Sequence, residues 1–171
     1  MKYAGLNKND FNAAPGVSVS FFTQGCPHRC PGCHNPETWD FKGGNEFTPQ
    51  VLDEIVEALT ANGINRTLCI MGGEPLCDEN LFLTHLVISY VREKLPAVKV
   101  YIWTGFYYDK LLKNSNPHLK NILELADVLI DGPYIEKLRD ITLPMRGSSN
   151  QTIINLTKEE KNDIIKEKKE N

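Results

Sequence analysis

The chain has 171 residues, of which 41% are apolar, the usual size of one globular domain. Its 19 basic and 22 acidic residues are spread along the chain and leave a net charge of −3, so no basic patch indicates a nucleic-acid partner. The first residues lack a signal-peptide pattern, and the apolar stretch Leu81 to Val91 is much shorter than the roughly 20 residues that span a bilayer. We therefore expect one cytoplasmic domain over residues 1–171, with no membrane or nucleic-acid partner.

The predicted elements alternate between strands and helices in chain order. Each predicted strand is a short run rich in β-branched residues, and each predicted helix has apolar residues at helical spacing. Thr48 is a plausible N-cap for the first helix, with Pro49 at its first position. The predicted strands are residues 16–23, 66–71, 98–103 and 127–131, and the predicted helices begin at Pro49, Asn80 and His118.

This alternation is typical of parallel βαβ units with right-handed crossovers. The strands are followed by glycine-bearing loops, after residues 23, 71, 103 and 131. Sites in such folds are built from the loops at the carboxyl ends of the strands, so we expect the four loops to converge on one face. Because there are few units, the sequence predicts an α/β fold with a mostly parallel sheet, arranged as an incomplete (β/α) barrel.

Three of the five cysteines, Cys26, Cys30 and Cys33, lie within eight positions. Their spacing would place them on one face of a helix, but Pro31 inside a helix would cost about 3 kcal/mol and Gly32 about 1 more. A loop is therefore favoured over a buried helical stripe. An odd number of cysteines without a secretion signal also favours metal or redox chemistry over disulfides.

Two kinds of metal site fit this loop. Zinc would need a fourth ligand, which His28 or His34 would supply in a structural Cys3His site. A [4Fe-4S] cluster normally takes four cysteines, so three would leave one iron open to a small molecule. The spacing by itself leaves both alternatives open.

The C-x3-C-x2-C loop resembles the signature of the radical S-adenosylmethionine (SAM) superfamily. "CHNPETWD" at 33–40 is similar to a segment of the activases of glycyl-radical enzymes. Four further segments resemble the activases of anaerobic ribonucleoside-triphosphate reductases, and Gly32 before the third cysteine agrees with them. Pro144 and Met145 depart from the pattern, because an aromatic residue is expected before "RGSSNQ". The four segments are "MGGEP" at 71–75, "WTG" at 103–105, "LIDG" at 129–132 and "RGSSNQ" at 146–151.

The resemblance implies a single domain of the radical SAM type in which Cys26, Cys30 and Cys33 hold a [4Fe-4S] cluster and SAM chelates the fourth iron. Reductive cleavage of SAM would give a 5'-deoxyadenosyl radical, which would generate a glycyl radical on the large subunit of the reductase. A reduced electron donor such as flavodoxin would supply the electron.

The resemblance also implies a set of SAM-binding residues. Gly72 and Gly73 lack the Cβ atoms that would keep the backbone away from a ligand, and Glu74 would be a partner of the SAM ammonium group. Thr104 and Asp131, at strand ends, would reach the methionyl or ribose groups, although a capping or turn role fits them equally well. The backbone from Gly32 through Cys33 to His34 would lie against the adenine.

The sequence also allows four other functions. They are an activase of another glycyl-radical enzyme, a small radical SAM enzyme such as a deazaguanine synthase, a zinc-stabilised interaction module and a plain electron carrier. Cys69 is interpreted as a core residue and Cys77 as structural. Residues 157–171 predict a solvated C-terminal helix or tail, with Thr157 and Glu160 as a capping box.

Overall fold

Seven strands form one sheet in the computed structural model, which describes residues 1–156. Their order across the sheet is β3-β1-β2-β4-β5-β6-β7. The strands are β1 (Lys2–Asp10), β2 (Val17–Thr23), β3 (Asn45–Glu46), β4 (Arg66–Gly72), β5 (Val100–Trp103), β6 (Val128–Asp131) and β7 (Thr152–Asn155). The helices are α1 (Pro49–Thr60), α2 (Asp78–Lys94), α3 (Tyr108–Leu111) and α4 (Pro117–Leu125).

The centre of the sheet consists of the four predicted strands, β2, β4, β5 and β6, and all three of their pairings are parallel. Val19 pairs with Leu68 and Ile70 with Ile102, and all four side chains are fully buried. Each of the four strands carries fully buried apolar residues in succession or in alternation, which is why the sequence pattern detected them.

Three antiparallel strands at the edges were missed, so the predicted strand at residues 16–23 is the second strand and not the first. β1 pairs with β2 and β3, and β7 pairs with β6. Their residues are mostly half-buried or exposed, so they carry no continuous apolar run. Antiparallel strands with one solvent-facing side give a weaker sequence signal than the buried parallel strands.

The helices begin close to the predicted positions. α1 begins at Pro49 with Thr48 as the N-cap, although the Thr48 side chain makes no capping hydrogen bond. α2 begins two residues before the predicted start, and α4 one residue before it. The side chain of Asn116 caps α4 by accepting a hydrogen bond from the backbone N–H of His118.

The core lies between the sheet and the helices. Burying a large apolar side chain contributes about 1.5–3 kcal/mol, so this layer holds the helices against the sheet. Its largest fully buried members include Phe21, Ile55, Leu68, Ile70, Ile88, Ile102, Leu119, Ile122 and Leu129.

The predicted C-terminal helix and the predicted barrel are not decided by this fold. The predicted helix or tail at residues 157–171 lies outside the described residues. The incomplete barrel of the radical SAM type stays a prediction, since the described strands form an open sheet with β3 and β7 at its edges. Among the described helices, none combines the length and apolar character that a membrane span requires.

Candidate functional site

A cavity of about 450 Å³ lies at the carboxyl ends of the four parallel strands. Loops that follow β2, β4, β5 and β6 all contribute to its wall, as the parallel arrangement predicts. Of the predicted site residues, the wall includes Cys26, Cys30, Cys33, His34, Gly72, Gly73, Glu74 and Thr104. The other two, Gly32 and Asp131, are not part of it.

The cysteine loop is irregular, as predicted, and it is held by backbone hydrogen bonds. The amide of Gly25 donates to the carbonyl oxygen of Thr38 at 2.7 Å, and the amide of Cys33 donates to that of Cys30 at 3.1 Å. Gly32 has a φ of +76°, a left-handed conformation that glycine adopts without strain. The helical arrangement of the three thiols is therefore excluded.

The thiols of this loop lie in a partly desolvated environment. Burial raises the pKa of the Cys26 thiol, and the backbone N–H groups of His28 and Arg29 partly offset this effect. Burial likewise raises the pKa of the Cys30 thiol, and the neighbouring Cys33 raises it further. Thiolates in such a place require a nearby positive charge, which a bound metal centre supplies.

The donor set fits a multinuclear cluster better than a single ion. Within residues 1–156, no group of three or more His, Cys, Asp or Glu side chains is arranged to hold one metal ion. His28, one possible fourth zinc ligand, is hydrogen-bonded to Glu74, and the ring of His34 packs against Tyr134. A [4Fe-4S] cluster binds each thiolate to a different iron, so three thiols spread along one cavity wall suit it.

Glu74 is almost completely buried, with 1% of its surface exposed. Its Oε1 accepts hydrogen bonds from the Leu76 amide at 2.9 Å and the Thr104 hydroxyl at 2.7 Å. Its Oε2 accepts one from the Gly105 amide at 2.7 Å and lies 2.9 Å from Nε2 of His28. A carboxylate offers about four acceptor positions, so the protein itself occupies all of them.

The two glycines at the carboxyl end of β4 allow the backbone to lie close to β2 and the loop that follows it. Gly72 has a φ of +99°, and a Cβ atom there would lie 2.9 Å from Cα of Phe22. A Cβ atom on Gly73 would lie 2.9 Å from the carbonyl carbon of Gly25. Gly72 thus packs against β2 and Gly73 against the loop after β2, which is one reason for each glycine. Their predicted contact with SAM stays a prediction.

Thr104 and Asp131 have structural hydrogen bonds. Besides donating to Glu74, Thr104 accepts a hydrogen bond from the amide of Phe106. Asp131 accepts hydrogen bonds from the Tyr108 amide at 2.8 Å and from the Thr152 hydroxyl, so it joins α3 to β7. Of the capping or turn role that the sequence left open, Thr104 has the turn contact, and Asp131 accepts a hydrogen bond from the first residue of α3.

Arg146 and Gln151 belong to the cavity wall but were given no role from the sequence. Oε1 of Gln151 accepts hydrogen bonds from the amides of Gly147 and Ser148, and its Nε2 donates to the carbonyl oxygen of Gly132. The "RGSSNQ" segment of the sequence contains both residues and was the signal that could have indicated them. The hydrogen bonds of Gln151, however, depend on how residues 132–151 fold back, which the sequence does not show. Where an aromatic residue was expected, Met145 accepts a hydrogen bond through its carbonyl oxygen from Nε1 of Trp103.

Comparison with known proteins agrees with this site. Residues 13–154 match the family described as 4Fe-4S single cluster domain. The anaerobic ribonucleoside-triphosphate reductase-activating protein of Escherichia coli (strain K12) is 33% identical to this chain, and the match covers 91% of this chain and 99% of the relative. This chain belongs to the family of these activating proteins. Members from Vibrio cholerae and Enterobacteria phage T4 are each 32% identical, and the matches cover 99% and 93% of their lengths.

Membership in this family decides between the two metal alternatives. The matched 4Fe-4S domain includes all three clustered cysteines, so the cofactor is an iron-sulfur cluster. The resemblance to the activases is confirmed, and the zinc-stabilised module is not supported. Cys69 and Cys77 are buried, at 0% and 4% exposure, as their structural interpretation requires.

Proposed function

We propose that this chain activates an anaerobic ribonucleoside-triphosphate reductase. The family assignment supports this proposal, because the relatives that match nearly the full chain are named as activators of that enzyme. The observation that carries it is that the three thiols of the cysteine loop share one cavity with the glycine loop after β4. One cavity thus combines cluster ligands with a backbone surface open to a nucleotide.

In this proposal Cys26, Cys30 and Cys33 hold three irons of a [4Fe-4S] cluster. When bound, the cluster would supply one electron for the reductive cleavage of SAM to methionine and a 5'-deoxyadenosyl radical, and this radical would remove a hydrogen atom from a glycine of the reductase large subunit. A reduced protein such as flavodoxin provides the electron. The loop contributes geometry and electrostatics, since N–H groups directed at the sulfurs stabilise thiolate charge.

The remaining walls of the cavity would bind SAM in a domain of the radical SAM type. The backbone of Gly72 and Gly73 would face the methionyl group. The backbone of Cys33 and His34, with Gly32 next to them outside the described wall, would lie against the adenine. Because Glu74 has no acceptor position left, carbonyl oxygens at the strand ends are better partners for the ammonium group. Arg146 would attract the carboxylate, since it has the permanent positive charge in the described cavity wall.

The deciding experiment combines the anaerobically reconstituted protein with reductant, SAM and the large subunit of an anaerobic ribonucleotide reductase. We expect a glycine-centred radical in the electron paramagnetic resonance spectrum and methionine as a product. Omitting SAM is the matched control and should abolish both. Methionine without the radical signal would point to another substrate. If neither methionine nor the radical signal appeared, the proposed function would be refuted.

A further inference from the structure

Three strand-end loops meet at one hydrogen-bonded pair, the half-buried His28 and the buried Glu74. His28 belongs to the cysteine loop after β2, and Glu74 belongs to the loop after β4. Glu74 also binds the loop after β5 through the Thr104 hydroxyl and the Gly105 amide. One carboxylate therefore connects all three loops.

The ring of His28 fits closely into its position. Its centroid lies 4.5 Å from that of Phe106 in an edge-to-face arrangement. A Cβ atom on Gly105 would lie 2.5 Å from Cδ2 of His28, so only glycine lets the ring lie this close to the backbone. The side chain of His28 is only 20% exposed. Its hydrogen bond and its ring contacts thus join the cysteine loop to the loops after β4 and β5.

Glu74 is tied to the cysteine loop by its backbone as well. Its amide donates to the carbonyl oxygen of Gly25 at 2.9 Å, and the Asn80 side chain donates to the carbonyl oxygens of both Gly25 and Glu74. These contacts fix the start of the cysteine loop. The His28 side chain supplies the corresponding tie further along, midway between Cys26 and Cys30.

We propose that His28 and Glu74 are positioning residues that clamp the cysteine loop against the loops after β4 and β5. His28 acts through Glu74 and is not a metal ligand, and Glu74 holds protein loops and not the SAM ammonium group. The consequence for the cluster rests on the proposed function, because the clamp keeps Cys26 and Cys30 in the cavity wall. A loop without regular secondary structure depends on such ties to hold its ligands in place.

The test compares His28→Phe with His28→Gln. Phenylalanine keeps an aromatic ring against Phe106 but has no hydrogen-bonding group, whereas the side-chain amide of glutamine restores a donor for Glu74. His85→Phe is the matched control, since it removes the hydrogen bond between Nδ1 of His85 and Nδ1 of His118, which belong to α2 and α4.

Two measurements separate the clamp from general stability. In the metal-free full chain, backbone hydrogen exchange is followed for residues 26–33. In the reconstituted protein, the rate of iron loss to a chelator is followed under conditions where the protein stays folded. For His28→Phe we expect hydrogen exchange and iron loss to be about tenfold faster. A change of this size corresponds to the loss of one hydrogen bond to a charged acceptor. His28→Gln should recover most of this change, and His85→Phe should match the wild type in both.

The clamp would be refuted if His28→Phe exchanged at the wild-type rate, or if His28→Gln were as fast as His28→Phe. Failure of the proposed function looks different. A protein that assembled no iron-sulfur cluster would contradict that function, while the exchange measurement in the metal-free chain would still decide whether the clamp exists.

Discussion

Gly73 and Gly25 lie in backbone contact, so that a Cβ atom on Gly73 would be 2.9 Å from the carbonyl carbon of Gly25 and closer still to its oxygen. This contact joins the loop after β4 to the start of the cysteine loop. The next residue, Glu74, continues it by donating its amide hydrogen to the same Gly25 oxygen. Space for a side chain is therefore absent where the two loops meet.

Gly73→Ala should lower the free energy of unfolding by about 1–3 kcal/mol, because the added methyl group displaces backbone and not a flexible side chain. Urea denaturation of the metal-free protein measures this change. Gly5→Ala is the control, since nothing lies within 4 Å of a Cβ atom at Gly5. It should change stability by less than about 1 kcal/mol. Equal effects of the two substitutions would mean that the contact at Gly73 is not tight.

Replacing any one of Cys26, Cys30 and Cys33 with alanine should abolish SAM cleavage and lower the iron and sulfide content of reconstituted protein. A cluster with only two protein ligands leaves two irons without a thiolate. Cys77→Ala should retain both cluster and cleavage, because Cys77 is buried and its thiol donates to the carbonyl oxygen of Glu74. Full cleavage activity in one of the first three variants would contradict the ligand assignment.

The five thiols should divide into two classes on alkylation of the metal-free protein. Burial raises the pKa of Cys69 to about 12 and that of Cys77 to about 12, so at pH 8 only about one molecule in ten thousand carries either thiolate. Cys26, Cys30 and Cys33 are partly exposed and should react first. Mass spectrometry after a short iodoacetamide treatment at pH 8 measures the order. Early modification of Cys69 would show that the sheet opens readily in the native protein.

Arg146→Met should weaken SAM binding about tenfold. A change of this size is expected when a charge-assisted hydrogen bond to a carboxylate is lost. Equilibrium dialysis with the reconstituted protein measures this affinity without turnover. Arg139→Met is the control, because Arg139 is exposed and lies outside the cavity wall. Thermal unfolding should also be recorded, since Arg146 donates a hydrogen bond to the carbonyl oxygen of Gln151. An unchanged affinity in a stably folded variant would exclude the contact.

The sequence predicted the central parallel strands and the convergence of their loops because both follow from local patterns. Runs such as the one around Ile70 are apolar throughout, and parallel strands end at a common edge. The role of Glu74 was not predictable in this way. Its partners His28 and Thr104 lie 46 and 30 residues away, so only the folded chain brings them to one carboxylate. The antiparallel strands β1 and β7, which flank the parallel centre, were missed because their half-exposed residues have no such pattern.

Residues 132–151 leave the sheet after Asp131 and return to it at Thr152, and these two residues are paired in adjacent strands. The two ends of this loop are held together by the pairing of β6 with β7, so residues could be added to the loop without moving either strand. Tyr134 in this segment packs against His34, and its backbone N–H is hydrogen-bonded to the Cys30 thiol. A change of length would therefore have to fall beyond Tyr134 to leave the cysteine loop undisturbed.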